Sequence, residues 1–178
     1  MKGPSRAVSL LSRIFGKGND KRDALRPLWH RVVEIAREKP WYAECGVADT
    51  VPGRFDAVTM VLAVVMLRME REEKLIAPSV YLTELFVDDM DGQLRQSGVG
   101  DLVVGKRMGK LMSVLGGRIT ALREGLAEGG ATLREALVRN VSMNEGATPD
   151  ALAERLSALA AHIDATSADD LLAGRIAR

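Results

Sequence analysis

Hydrophobic residues recur every three or four positions along most of the chain, a spacing typical of amphipathic helices. No stretch alternates apolar and polar residues over enough positions to indicate a sheet. The pattern therefore predicts an all-α protein, a single compact multi-helix domain of about six to seven helices at 21–178. A short amphipathic and basic N-terminal segment at 1–20 is predicted to precede this domain.

Prolines, glycines and capping residues set the predicted helix boundaries. The first helix of the domain is predicted at 21–38, and 41–55 is predicted to be a loop. A nearly all-apolar helix from Phe55 to about Lys74 is predicted at the centre of the fold, with its polar end in solvent. Further helices are predicted from Pro78 and Ser79 to Gly98, from about Leu102 to Leu126, from a capping box at Thr132 and Glu135 to Asn140, from Thr148 and Pro149, and from Ser167.

The N-terminal segment contains the stretch RAVSLLSRIF at 6–15. At about 100° per residue, its apolar residues fill an arc of about 160°, with the basic residues clustered away from it. This layout is typical of an interfacial membrane helix, and a helix packed on the domain or a partly ordered tail are the alternatives. The predicted membrane contacts are Arg6, Leu10, Leu11, Arg13, Ile14 and Phe15.

Composition narrows the location and the class of partner. The net charge is +1, so there is no global bias toward nucleic acid or anionic lipid, and no specific DNA binding is expected. The single Cys45 suits a reducing compartment. The longest apolar run, at 57–69, is shorter than the roughly 20 residues that cross a bilayer. With no evident signal peptide, the expected location is cytoplasmic, with peripheral contact at the inner face of the cytoplasmic membrane left open.

The stretch GDLVVGKR at 100–107 comes close to a phosphate-binding loop. Gly100, Gly105 and Lys106 fall on the Walker A pattern, but Arg107 stands where a Ser or Thr should hold magnesium. The preceding residues form an amphipathic helical pattern, whereas a phosphate loop must follow a buried strand. A nucleotide site is therefore not predicted.

Other candidates for chemistry also fail on spacing. In DDMDG at 88–92, the first position of a calcium loop would fall on Val87 and the last on Gly98, neither of which has a suitable side-chain oxygen. His30 and His162 lie in unrelated helices, and Cys45 has no His near it in sequence. No catalytic, cofactor-binding or metal-binding residue is predicted, and the chain is interpreted as a protein that is not an enzyme.

Two consecutive predicted helices carry opposite charge. Glu84, Asp88 and Asp91 share one face of the first, with Arg95 one turn further on. The second has no acid between Leu102 and Arg123, and its cations are Lys106, Arg107, Lys110, Arg118 and Arg123. Surface pairs contribute only about 0–1 kcal/mol each, so solvated faces and docking surfaces both remain open. Gly109, Gly116 and Gly117 inside the basic helix predict close helix–helix approach, within the fold or across an interface.

Several short motifs occur in a fixed order. They are Gly46-Val47-Ala48-Asp49-Thr50, Gly53-Arg54-Phe55-Asp56, Asp89-Met90-Asp91, Leu94-Arg95, Gly98-Val99-Gly100-Asp101 and Lys106-Arg107-Met108. Together they resemble the ubiquinol–cytochrome c chaperone family, over about residues 22–141. The chain departs from the family in two places: Gly105 stands where Pro is usual, and Leu115-Gly116-Gly117-Arg118 stands where the family has Phe-Tyr-Gly-Arg.

The resemblance implies a non-enzymatic, all-helical assembly factor of ubiquinol–cytochrome c reductase, which is respiratory complex III. Mitochondrial relatives help newly made cytochrome b mature, together with a small partner protein and near the ribosome. The short basic N-terminus, with no mitochondrial presequence, favours a bacterial member. Its client would be cytochrome b, or another membrane protein, at the cytoplasmic face of the inner membrane, with no cofactor.

On this interpretation the charged helices contact the partner and the 41–56 loop is structural. The expected partner-binding residues are Asp88, Asp91, Arg95, Asp101, Lys106, Arg107 and Lys110. Asp49 and Arg54 are expected to bond the loop to the core. The alternative is a general helical interaction module that binds the ribosome or RNA through Lys106, Arg107, Lys110 and Arg118.

Overall fold

The structure, a computed structural model, describes residues 21–96 and 101–176. The amphipathic segment at 1–20, with its six predicted membrane contacts, lies outside the described residues, as does the Gly98-Val99-Gly100 connector. In the described ranges the chain is helical, which confirms the predicted all-α class. The helices are α1 (Arg26–Ala36), α2 (Lys39–Ala43), α3 (Val51–Met69), α4 (Glu73–Gln96), α5 (Asp101–Glu128), α6 (Gly130–Asn140), α7 (Asp150–Ala165) and α8 (Ala168–Leu172).

Helix α3 is the centre of the fold, as its apolar sequence predicts. Apolar residues are buried on all of its sides, including Val61, Leu62 and Val65, and α1, α4, α5 and α7 pack against it. Its N-terminus is capped by Thr50, whose Oγ1 accepts a hydrogen bond from the Gly53 backbone N–H at 3.2 Å. Helices α5 and α6 form a second packed pair, joined by Gly129 at a φ of 69°.

The region at 41–55, predicted to be a loop, is helical at both of its ends. Helix α2 includes Trp41, α3 already begins at Val51, and only residues 44–50 connect them. The prolines were the misleading signal, because Pro40 and Pro52 lie in the first turns of α2 and α3, where a missing N–H costs no helical hydrogen bond. Likewise α1 ends at Ala36, not at Glu38.

The predicted start of a helix at Pro78 is wrong, because α4 begins at Glu73. Pro78 lies inside the helix and removes only the hydrogen bond to the carbonyl one turn before it. Leu75 and Leu82, on either side of Pro78, are both fully buried, so packing holds the helix together across it. The earlier start adds the apolar position Ile76 to the helix that already carries Val80 and the acidic residues.

Two predicted caps are also wrong. Helix α6 begins at Gly130 after Gly129, and the Thr132 hydroxyl donates to Glu128 Oε2 at 2.8 Å instead of capping. Helix α7 begins at Asp150 with Pro149 before it and no side-chain cap from Thr148. The prediction for the last short helix is confirmed, since Ser167 Oγ accepts from the Asp170 N–H at 3.1 Å.

Candidate partner-binding surface

The predicted acidic contacts lie along α4, and two of them already have partners within the fold. Arg22 Nη1 lies 2.7 Å from Asp88 Oδ2, and Arg95 Nε lies 2.7 Å from Asp91 Oδ2. These side chains are partly exposed, so the pairs remain accessible from solvent. Position 88 therefore anchors the beginning of the described chain as well as contributing to the acidic face.

The predicted basic contacts occupy the N-terminal half of α5, which Asp101 begins. Lys106, Arg107 and Lys110 are all exposed. The structure thus presents three cations within two turns of one helix. Their chemistry suits carboxylates or phosphates on a partner, with orientation gained more than affinity.

The glycines of α5 do not serve close packing within the described fold, contrary to one of the two predictions made for them. A Cβ built at Gly105, Gly109, Gly116 or Gly117 would meet no described atom within 4 Å. At about 100° per residue, Gly105, Gly109 and Gly116 lie within an arc of about 40° on the exposed side of the helix. These three residues form the glycine face, and Lys106 and Lys110 lie about 60° and 100° beyond one edge of it. The second prediction for these glycines, close approach of a helix across an interface, stays a prediction.

Arg118 is not on this surface. It is 8% exposed and forms a salt bridge with Asp56, which is 6% exposed, while its second terminal nitrogen donates to the Thr59 hydroxyl. Arg118 therefore cannot take part in the predicted RNA or ribosome contact. A signal for this was present in the sequence: Leu111, Leu115, Arg118 and Leu122 recur at helical spacing, which puts the arginine in the apolar stripe.

Asp56 ties three parts of the chain together. Its Oδ1 accepts from Arg118 of α5, and its Oδ2 accepts from the Ser142 backbone N–H at 2.8 Å and the Ser142 hydroxyl at 2.7 Å. The Arg118 guanidinium also lies 5.6 Å from the centre of the Phe55 ring. A buried carboxylate needs such donors, because an unpaired buried charge costs several kcal/mol. The Gly53-Arg54-Phe55-Asp56 motif and Arg118, far apart in sequence, thus meet in one buried network.

The 44–50 connection is held mainly by backbone groups. Ala48 N–H donates to the Ser142 carbonyl at 2.9 Å and Asn144 N–H donates to the Gly46 carbonyl at 2.8 Å. Gly46 has a φ of 76°, and a Cβ at Gly53 would lie 1.9 Å from the Ala48 carbonyl oxygen. Both motif glycines are therefore required by backbone geometry.

Asp49 and Arg54 form an exposed ion pair from this connection to the first turn of α3, with Arg54 Nε 2.6 Å from Asp49 Oδ1. The hydrogen bond from Arg54 lowers the pKa of the Asp49 carboxyl below its ordinary value of 3.8. The nearby Cys45 thiol is buried and its Sγ lies 3.6 Å from the Ala151 carbonyl oxygen. Burial raises the pKa of this thiol, which keeps it in the unreactive protonated form.

Neither a metal centre nor a membrane span is found in the described ranges. Residues 21–96 and 101–176 contain no group of three or more His, Cys, Asp or Glu side chains placed to hold a metal ion. None of the helices in those ranges is both long enough and apolar enough to cross a bilayer.

Comparison with known proteins identifies the family. A structure described as the crystal structure of the Cbp3 homolog from Brucella abortus matches with a TM-score of 0.76 and 29% sequence identity, over 93% of this chain and 94% of that chain. A comparison with curated proteins found no match. The family model for ubiquinol-cytochrome C chaperone matches residues 43–178, a range that contains the Asp56–Arg118 network and the whole of α5. The chain therefore belongs to the ubiquinol-cytochrome C chaperone family.

Proposed function

We propose that this protein is an assembly factor of respiratory complex III that binds newly made cytochrome b through the glycine face and the neighbouring cations of α5. Family membership supports the chaperone role and favours a non-enzymatic one. The structural observation that carries the client site is the glycine face, Gly105, Gly109 and Gly116, exposed on a helix with cations beyond one edge of it.

Glycine is an unfavourable residue at these positions unless something approaches them. Each Gly inside a helix costs about 1 kcal/mol relative to Ala. Small residues spaced four apart, as Gly105 and Gly109 are, let a second helix come close to the backbone, a mode common between membrane helices. The proposed client is a membrane protein, and the glycine face offers one of its helices a close contact.

The cations would set the orientation of the client. Lys106, Arg107 and Lys110 can meet anionic groups at the end of a client helix or in the lipid surface beside it. Acidic side chains nearby would repel anionic partners; they are Asp88 and Asp91 of α4 and Asp101 at the start of α5. Arg95, at the same end of α4, would contribute a positive charge to the contact. Residues 1–20 would add weak, reversible membrane contact at the inner face of the cytoplasmic membrane.

The test is a crosslinked pull-down of the tagged full-length protein from its own cells, with recovery of cytochrome b as the readout. Two variants address the surface: Gly105→Leu with Gly109→Leu, and Lys106→Glu with Arg107→Glu. Leucine adds bulk where a Cβ meets no described atom, so it should not disturb the fold. Both variants should keep the wild-type circular dichroism and lose most of the cytochrome b.

Matched controls make the same changes elsewhere. Ala161→Leu adds leucine to an exposed position on α7, and Arg37→Glu with Lys39→Glu reverses two exposed cations away from α5. Both controls should recover cytochrome b at the wild-type level. Recovery at the wild-type level from the glycine and charge variants as well would refute the proposed client site.

The three exposed cations also favour a second candidate, binding to the ribosome or RNA. In that case ribosomal RNA would be recovered without cytochrome b. The charge variant would lose this RNA, whereas the glycine variant would keep it. The affinity would also fall steeply with salt. On a duplex, the slope of the logarithm of the binding constant against the logarithm of the salt concentration becomes more negative by about 0.9 for each phosphate contacted. A small partner protein, if needed, would appear in the same recovered material.

A further inference from the structure

Helix α4 carries exposed apolar residues that the described fold leaves uncovered. Ile76 is 53% exposed and Val80 is 55% exposed, and Val87, about two turns further along the helix, is half-buried. At about 100° per residue these three positions lie within an arc of about 40°. They are called the α4 stripe below. Single exposed apolar residues need no explanation, whereas exposed apolar residues aligned along one helix face are typical of an interaction site.

A surface depression of about 300 Å³ lies at the stripe. It is lined by Val80, Thr83 and Val87 on the helix, and by Glu84 and Asp88 along one side. Arg22, near the beginning of the described chain, also lines it and pairs with Asp88 at 2.7 Å. The polypeptide therefore enters the described domain at the edge of the depression, so the chain before residue 21 joins the domain there.

The sequence of that segment fits the stripe in length. The ten residues 6–15 would make a helix about 15 Å long, and the eleven steps from Ile76 to Val87 span about 16 Å. The six residues 16–21 between that helix and Arg22 can reach at most about 20 Å when extended. They are GKGNDK, which include two glycines and allow the chain to fold back.

The segment also fits the stripe in polarity and charge. Its apolar residues include Leu10, Leu11 and Ile14, while Arg6 and Arg13 lie beyond one edge of that apolar face. On α4 the acids Glu73, Glu84 and Asp88 run along one side of the stripe. An apolar face with a basic edge is thus complementary to an apolar stripe with an acidic edge.

We propose that residues 6–15 dock as a helix on the α4 stripe, with their basic edge over Glu73, Glu84 and Asp88. The docked segment covers Ile76 and Val80 and fills the depression beside Arg22. Because the same apolar residues would face a bilayer, docking and membrane contact exclude each other. The proposal holds whatever client the other face of the domain binds, since it concerns α4 and not the glycine face of α5.

The first experiment is disulfide trapping in the full-length chain. Leu11→Cys is combined with Val80→Cys, and a control chain combines Leu11→Cys with Val138→Cys, because Val138 is a similarly exposed valine on α6. Cys45 can stay, since it is buried and its thiol is held protonated. Under mild oxidation at low protein concentration, the Val80 pair should form a disulfide within one chain at least about tenfold faster than the Val138 pair.

Each alternative occupant gives a different result on a non-reducing gel. Equal rates for the two pairs would mean that the segment samples the surface without a preferred site, which overturns the proposal. Disulfides that join two chains would assign the stripe to a second copy, which also overturns it. Adding Glu84→Arg to the Val80 pair should slow trapping if the acidic edge guides docking.

A second measurement needs no cysteine. Hydrogen exchange followed by mass spectrometry should show slowed exchange for amides in 6–15 of the wild-type protein. Ile76→Asp with Val80→Asp should return those amides to the rate of an unstructured peptide, while Val138→Asp should leave them slow. Unchanged protection in the α4 double variant would refute docking on the stripe.

Discussion

The two halves of α5 use the same residue types for opposite purposes. In the C-terminal half, Arg118 is buried against Asp56, and Gly125 lies where a Cβ would approach Leu133 Cα to 3.1 Å. In the N-terminal half, Arg107 is exposed and a Cβ at Gly109 would meet no described atom within 4 Å. The residue type therefore does not tell a structural position of α5 from one that is available to a partner. What decides is whether the position faces α3 and α6 or faces solvent.

This difference also divides the family motifs into two groups. The Gly53-Arg54-Phe55-Asp56 motif and Arg118 meet in the buried network that joins α3, α5 and Ser142. Lys106-Arg107-Met108 instead begins the exposed half of α5, with Met108 alone turned toward the core. The first group holds the fold together, whereas the cations of the second are accessible from solvent.

The largest expected effect is that of Arg118→Met, compared with the same replacement at Arg107. Arg118→Met leaves the Asp56 carboxylate buried without its cation, so the free energy of unfolding should fall by about 3–5 kcal/mol. Arg107→Met removes an exposed cation and should change that free energy by less than about 0.5 kcal/mol. Urea unfolding followed by circular dichroism measures both.

The double variant Asp56→Leu with Arg118→Met separates the pair from its parts. Removing both charges avoids the unpaired carboxylate, so the double variant should be more stable than Arg118→Met alone. A cost for Arg118→Met as small as that for Arg107→Met would mean that the buried half of α5 is not organised by this ion pair.

A smaller effect is expected from replacing glycine by alanine in each half. Gly109→Ala should raise the free energy of unfolding by about 0.5–1 kcal/mol, because alanine favours the helix and its methyl group meets open space. Gly125→Ala places its methyl group 3.1 Å from both Leu133 Cα and Cδ1, so strain should offset that gain or exceed it. Thermal unfolding of the two variants side by side checks this, and equal stabilisation would contradict it.

The smallest effect concerns Asp49 and Arg54, an exposed pair that contrasts with the buried one. Because the pKa of Asp49 is lowered in the folded protein, the pair stabilises the fold above the ordinary value of 3.8. That stabilisation is lost as the pH falls through the folded pKa. The urea midpoints of wild type and Asp49→Asn should therefore differ slightly at neutral pH and converge in acid.

An NMR titration of the Asp49 side chain gives the direct control for this pair. In Arg54→Ala the titration midpoint should rise toward 3.8, because the largest cause of the lowered pKa has been removed. An unchanged midpoint would assign the lowered pKa to some other group.

The sequence predicted the central helix well because α3 is apolar on every side, which periodicity and composition report together. It predicted the exposed cations Lys106, Arg107 and Lys110 but grouped Arg118 with them, because counting charges along a helix ignores which side faces the core. Pro40 and Pro78 were taken as helix boundaries, and Pro52 as part of a loop, although each lies inside a helix. Contacts between distant segments, such as Asp56 with Ser142, depend on tertiary packing that helical periodicity does not encode.

The end of the described chain returns to its first full helix. Arg31 of α1 donates to the Ile176 carbonyl at 3.1 Å, Ile176 is buried, and Gly174 lies so close to Pro27 that a Cβ would come within 2.6 Å of the Pro27 carbonyl oxygen. The packing of α1 is consequently completed by the last described residues, so the domain needs both of its described ends to finish folding. Unfolding should then be a single cooperative event that involves both ends at once, with no independently stable N-terminal half.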